Sequence, residues 1–231
     1  MAGLFPRWMN ALPTLGAVAG GVGTVAVVTG TWYWATPDFF EVGYMPTQPG
    51  QGFNHQIHAG QLGIDCRYCH TNVEKSSHSN VPSVATCIGC HSEGKLSTEY
   101  VADEQVQWIR AAYASDESIE WRRIHVVPDY AQFPHHVHVN AGVSCYSCHG
   151  QIQGMPVVYQ AESLAMGWCL DCHRNPEPNL VPPDQVTNLI WVEQEWMNTP
   201  VEERAHNGLN SAQLVESLKR NPPQHCAACH Y

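Results

Sequence analysis

Charge is scarce in this sequence, and positive charge is scarcer still. Asp, Glu, Lys and Arg make up 14% of 231 residues, with 11 Lys and Arg against 21 Asp and Glu. A formal net charge of -10 excludes a nucleic-acid binder that works through a basic surface. The same shortage excludes a coiled coil or a long disordered tail, both of which need denser charge. Aliphatic side chains are thin for the length, so something other than side chains is expected to fill the core. The length allows one large domain or two small ones. In excess are 10 Cys and 14 His.

All ten cysteines fall in C-x-x-C pairs, and each pair is followed directly by His. The five motifs, numbered 1 to 5 in chain order, are Cys66-Arg67-Tyr68-Cys69-His70, Cys87-Ile88-Gly89-Cys90-His91, Cys145-Tyr146-Ser147-Cys148-His149, Cys169-Leu170-Asp171-Cys172-His173 and Cys226-Ala227-Ala228-Cys229-His230. C-x-x-C-H is the covalent attachment signature of c-type haem. The two thiols add to the two vinyl groups of the macrocycle, and the next residue, His, is placed under the iron as its proximal ligand. Five c-type haems are therefore expected, on proximal His70, His91, His149, His173 and His230.

Two rival chemistries use the same cysteine spacing. A single C-x-x-C fits half a zinc ribbon or a thioredoxin-like redox pair, but neither requires His after the second Cys. With 14 His in 231 residues, chance puts His there about 6% of the time, so five in five is on the order of one in a million. A disulfide framework is weaker still, because the C-x-x-C loop is too short to staple a fold.

The N-terminus carries an uncharged run from Leu12 to Ala35. As helix it spans about 36 Å, enough to cross a bilayer core of about 30 Å. Trp8 precedes it and Trp32, Tyr33 and Trp34 close it, the aromatic-belt pattern of both interfaces. Ala17-Val18-Ala19 resembles a signal-peptide cleavage site but lies inside the apolar run rather than after it, so an uncleaved anchor is expected over residues 1–36. Arg7 before the run, and Asp38 and Glu41 after it, favour the N-terminus inside and the rest of the chain outside. Gly16, Gly20 and Gly23 lie near one stripe and would allow a partner helix to approach closely.

Residues 37–52, rich in Pro and Gly, are expected to form an extended linker, and residues 53–231 the outer domain. Within it, Phe53-x-His55-x-x-His58 precedes motifs 1 and 2, and Phe133-x-His135-x-x-His138 precedes motifs 3 and 4. Two units, 53–91 and 133–173, thus repeat one plan. Segment 92–132 connects them, and 174–231 adds motif 5. The expected fold is mainly helical and irregular, with duplicated two-haem modules and one N-terminal transmembrane helix. Helices are expected over 97–114, capped by Ser97 or Thr98, over 186–197 and over 211–219. The stretch 121–133 reads as extended, since Pro128 opposes helix.

F-x-H-x-x-H followed by C-x-x-C-H resembles the small multihaem cytochromes of the c3 and c7 type. That resemblance implies that the first His caps the haem that follows and the second caps a different one. Over the whole chain, Trp121-x-Arg123-Ile124-His125-x-x-Pro128-Asp129-Tyr130 and the run Met166-Gly-Trp-Cys-Leu-Asp-Cys-His-Arg174-Asn-Pro176 resemble the pentahaem cytochrome c subunit of alternative complex III. The resemblance implies an electron wire on the periplasmic face of the inner membrane in a quinol-oxidising complex. Its implied partners are integral membrane quinol-oxidising subunits, an iron–sulfur subunit, and a monohaem cytochrome c or other periplasmic carrier or oxidase. On that reading the chain is a non-catalytic electron-transfer subunit.

Two alternatives stand beside it: a free-standing quinol dehydrogenase feeding soluble reductases, and a multihaem reductase enzyme. The enzyme needs an iron with an open position, yet nine further His are available to cap five irons. His136 points away if His135 and His138 share a face. His225 directly precedes Cys226. His78 and His206 sit in polar stretches that read as exposed loops. That leaves His55, His58, His125, His135 and His138 as distal candidates. Met155, followed by Met166, is the thioether rival for one iron.

Overall fold

A computed structural model of the chain describes residues 6–36, 52–96, 100, 103–210, 213, 216–217 and 221–231. The apolar N-terminal run forms one helix, α1 (Leu12–Thr36), entered through a 3-10 turn at Arg7–Ala11. The stretch Trp8–Trp34 has a hydropathy of 1.7 and none of it is buried against the rest of the chain. It is long and apolar enough to cross a membrane. The expected linker lies outside the described residues except for Gly52.

Beyond residue 52 the described chain is built of short helical pieces and turns. The longest is Glu104–Ala114, and its strongest packing is against Val84–His91. Among the described residues, extended pairing is limited to a two-residue ladder, Ala205–His206 with Leu209–Asn210, and a lone bridge between Val143 and Leu180. A motif recurring every few tens of residues leaves no length for regular sheet.

The motif helices alternate in kind. Motifs 1 and 3 sit in single turns, Cys66–Cys69 and Tyr146–His149. Motifs 2 and 4 lie inside longer helices, Val84–His91 and Met166–Arg174. Motif 5 is a 3-10 turn, Cys226–Ala228. A turn of four residues has no stability of its own, so motifs 1 and 3 depend on caps. Asp65 accepts the Arg67 backbone N–H at 2.8 Å, and Ser144 Oγ accepts that of Tyr146 at 3.2 Å.

Two helix starts differ from expectation. The helix expected over 97–114 begins at Glu104, because Asp103 is extended (φ -61°, ψ 129°) and its carboxylate accepts the Gln105 N–H at 2.8 Å. Asp103 is therefore the cap of this helix, while Ser97 and Thr98, the expected caps, lie outside the described residues. The helix expected over 186–197 begins at Leu189 and passes into a π turn, Val192–Trp196. Val186 and Thr187 are held outside it, with Ser144 Oγ donating to the Val186 carbonyl and Thr187 Oγ1 donating to Asp65. The stretch 211–219 lies largely outside the described residues.

The apolar core is small and sits in the C-terminal segment. Val181, Val186, Val192 and Trp196 are buried together, with Val139, Tyr146, Trp191 and Met197 packed around them. Trp196 Nε1–H donates to the Leu180 carbonyl at 2.9 Å, which satisfies the indole in its buried place. Arg204, buried, lies 5.2 Å from the same ring and donates to the carbonyls of Thr199 and Pro178. By contrast, no residue between 52 and 72 is buried; Val73 is the first.

Candidate functional site

All ten motif cysteines are free thiols. Burial pushes Cys69, Cys87, Cys169 and Cys172 up and Cys148 up to about 12. Cys66 is instead lowered, chiefly by Cys145. Among the described residues, no group of three or more His, Cys, Asp or Glu could hold a bare metal ion.

The histidines are oriented as a set. In six of them Nδ1–H donates to a backbone carbonyl: His58 to Asn54 (2.9 Å), His70 to Asn80 (2.7 Å), His135 to Ser77 (2.8 Å), His138 to Pro134 (2.9 Å), His173 to Pro223 (2.7 Å) and His230 to Tyr130 (2.8 Å). A donor at Nδ1 fixes the tautomer and leaves Nε2 as a lone-pair ligand. Three of the five proximal candidates and three of the distal candidates are prepared in this way.

The two H-x-x-H units share one ring geometry. Phe53 stacks on His58 (4.4 Å, 26°) and meets His55 edge-on (4.8 Å, 84°). Phe133 stacks on His138 (4.3 Å, 24°) and meets His135 edge-on (5.0 Å, 88°). The second His of each unit lies near the motif His of that unit's second C-x-x-C-H: His58 is 5.9 Å from His91, and His138 is 6.1 Å from His173. Two imidazoles bound through Nε2 to opposite sides of one metal, at about 2.0 Å per bond, have ring centres about 6 Å apart.

The remaining ligand candidates cluster between the units. His125 Nε2 and His149 Nδ1 share a hydrogen bond at 3.2 Å, with ring centres 4.3 Å apart. Burial, followed by the fields of His70, His58 and His125, pushes His55 down to about 4. Burial and the field of His135 bring His125 to about 4 as well. His149 is driven well below its ordinary value by burial, with His125, His135, His70 and His55 adding to the effect. His55, His125 and His149 are thus neutral together, the form that ligates a metal. His55 Nδ1 and His91 Nδ1 are buried with no hydrogen-bond partner. The buried, unpartnered Nδ1 atoms of His55 and His91, the cysteines free of disulfides and the paired rings about 6 Å apart all fit a bound haem.

The H-x-x-H helices dock crosswise. Gln56–Gln61 packs on the turn after motif 3, where Gln56 N–H donates to the Met155 carbonyl at 3.3 Å. A Cβ on Gly60 would run into the carbonyl oxygen of Gln153, so only Gly allows this approach. His135–Asn140 packs on the loop after motif 1, with the N–H groups of His135 and His136 donating to Ser77 and Ser76 and Asn140 Nδ2 to Glu74.

Of the thioether candidates, Met155 is buried at 3% exposure, with its methyl 4.0 Å from the Cβ position of Gly150. Met166 is 68% exposed at the start of its helix. His78 is exposed, as expected, and so is His225. His206 is not. Its Nε2 meets Asp184 at 3.0 Å and its ring packs on Trp191 at 5.4 Å, since the Asn207-Gly208 turn folds it back onto the core. His136 keeps a buried, unpartnered Nδ1.

Sequence reasoning missed three positioning residues. Arg110 donates to the carbonyls of His91 (2.8 Å) and Ser92 (3.2 Å), a cation at the C-terminus of the motif 2 helix. Asp65 and Ser144, each directly before a first motif cysteine, cap their turns and hold Thr187 and Val186. The S/D-before-C position was the available signal.

No family model matches the chain. It is 29% identical over 189 residues to a protein described as the multihaem cytochrome c subunit of menaquinone reductase, from Nitratidesulfovibrio vulgaris strain Hildenborough. The alignment covers 69% of this chain and 82% of that protein. The likeness is to a multihaem cytochrome subunit of a quinone-linked complex.

Proposed function

We propose that the chain is a membrane-anchored pentahaem c-type cytochrome that carries electrons as a non-catalytic subunit of a quinol-oxidising complex, of the kind typified by alternative complex III. The observation that carries this reading is the repeated opposition of His58 with His91 and of His138 with His173, each about 6 Å apart and each beside a C-x-x-C pair. Haem supplies one-electron exchange at its iron. The chain's residues do the rest.

Each cysteine pair would hold a macrocycle covalently, and the His that follows would ligate its iron. His58 and His138 would be the second ligands at motifs 2 and 4. His55, His125 and His135 serve motifs 1, 3 and 5. With ten His positions for five irons, no coordination site is left for substrate, which favours a wire over a reductase. The helix α1 holds the chain in the inner membrane, with the outer domain on the periplasmic side. Integral membrane quinol-oxidising subunits and an iron–sulfur subunit are the partners on one side, and a monohaem cytochrome c, other carrier or oxidase on the other.

Mass spectrometry of the purified chain tests this directly. Five covalent haem additions are expected; any motif found unmodified overturns the pentahaem assignment. A mild-detergent purification that yields no large membrane subunit overturns the complex and favours the free-standing quinol dehydrogenase.

A second reading reverses the direction of flow. The similar protein's name places it in a complex that reduces menaquinone, so this subunit could equally deliver electrons inward to a quinone. Reduction of the haems by added quinol supports the outward direction; their oxidation by added quinone, with no reduction by quinol, supports the inward one.

A further inference from the structure

We infer that the five redox sites follow one another in space in the order of motifs 2, 1, 3, 4 and 5, so that motifs 2 and 5 are the two terminals where partners exchange electrons. This rests on the haem reading above and adds a path to it.

Each neighbour relation has its own contact. Motif 2 adjoins motif 1: the Tyr68 hydroxyl lies 3.9 Å from the Cβ position of Gly89. Motif 1 adjoins motif 3: both are tied to one dipeptide, Cys66 Sγ to the Thr187 carbonyl (3.9 Å) and Cys145 N–H to that of Val186 (3.4 Å).

Motif 3 adjoins motif 4. Val181 N–H, beyond motif 4, donates to the carbonyl of Gly142, just before motif 3, at 2.8 Å. Motif 4 adjoins motif 5: His173 Nδ1–H donates to the Pro223 carbonyl at 2.7 Å and Gln224 Nε2 donates to the His173 carbonyl at 3.4 Å.

Exposure agrees with this order. Of ten motif thiols, Cys90 and Cys226 are the exposed ones, and they belong to the two end motifs. The middle motifs are flanked on both sides and their thiols are half-buried. At the motif 5 end, Tyr130 (72% exposed) stacks on His230 at 5.8 Å beside Tyr231 (77% exposed). An aromatic rim around an accessible redox site suits a protein partner that carries its own redox group near its surface.

The order differs from the sequence because the duplication is arranged back to back. Motifs 1 and 3, the first of each unit, meet in the middle, and motifs 2 and 4 point outward. Motif 5 then extends only one arm. Succession along the chain would instead place motif 2 between motifs 1 and 3.

A cryo-electron-microscopy map of the assembled, haem-loaded complex decides the order, since each macrocycle is traced to its own pair of cysteines. The expected succession is 2, 1, 3, 4, 5. Macrocycles present in any other succession overturn the order while leaving the haem reading intact; a map without macrocycles overturns both. Rapid reduction from the quinol side gives a solution readout. With Cys226→Ala and Cys229→Ala, all four remaining haems stay connected, so they respond together: all are reduced promptly, or none where motif 5 faces the quinol. With Cys66→Ala and Cys69→Ala, the gap separates one haem from three, so either one or three are reduced promptly. Prompt reduction of all four in the second variant overturns the proposed path.

Discussion

Thr187 donates its hydroxyl to Asp65 at 2.8 Å across 122 positions of sequence. Asp65 at the same time caps the motif 1 turn and pairs with Arg67 at 2.8 Å. One carboxylate therefore ties the first motif of one unit to the segment that also holds the first motif of the other.

Asp65→Asn should weaken this tie. The hydrogen bonds of Arg67 hold the Asp65 carboxyl at about 2, below its ordinary 3.8. The folded value lies below the unfolded one, so the stabilisation is fully present above about pH 4 and is lost as pH falls through the folded value near 2. The cap and the charge-assisted bond together contribute about 1 kcal/mol at this half-exposed site. Thermal unfolding from pH 7 to pH 2 checks it. Wild type is expected to lose its advantage over Asp65→Asn across the acid range; a constant difference between them would refute the assignment.

Gly60→Ala tests the crosswise docking. The added methyl meets the Gln153 backbone carbonyl, which cannot swing aside as a flexible side chain can. Overpacking of this sort costs about 1–3 kcal/mol. The melting temperature of the haem-loaded protein should fall by several degrees, whereas Gly94→Ala, which meets nothing but has positive φ, should show only a backbone effect. Equal melting temperatures for wild type and Gly60→Ala would rule out the close approach.

Removing a distal ligand should open one iron. Reduced His58→Ala and His138→Ala proteins are expected to bind carbon monoxide at one haem in five. Wild type and His78→Ala, an exposed histidine, are expected to bind none. Carbon monoxide uptake by wild type would instead restore the reductase reading.

The burial of Met155 against Gly150, beside the proximal His149, predicts that its thioether is not an axial ligand. The near-infrared band of Met-ligated ferric haem should be absent, and Met155→Leu should leave the visible spectrum unchanged. A band that disappears in Met155→Leu would assign the methionine after all.

The five motifs, both H-x-x-H pairs and the apolar helix were legible because each is local: a fixed spacing, a repeat or an unbroken apolar run. The equal stacking of Phe53 on His58 and Phe133 on His138 follows from that same local spacing. What the sequence concealed was long-range and polar. Nothing in the periodicity of 186–197 announces that Val186 and Thr187 are claimed by Ser144 and Asp65 and so withheld from the helix. Asp103 looked like an acidic residue inside a helix, and only its extended backbone marks it as the cap. His206 read as a loop residue because Asp184, its partner, lies 22 positions away.

The backbone carbonyls that receive Nδ1–H from His58, His70, His135, His138, His173 and His230 have an electronic consequence. Such a bond makes the imidazole a stronger base at its other nitrogen. A more basic ligand stabilises the ferric over the ferrous iron and so lowers the reduction potential. Spread across both arms of the molecule, the effect biases the whole series toward low potential rather than tuning one site. The fold thereby sets the voltage at which such a conductor works through main-chain oxygens, which no side-chain substitution can remove.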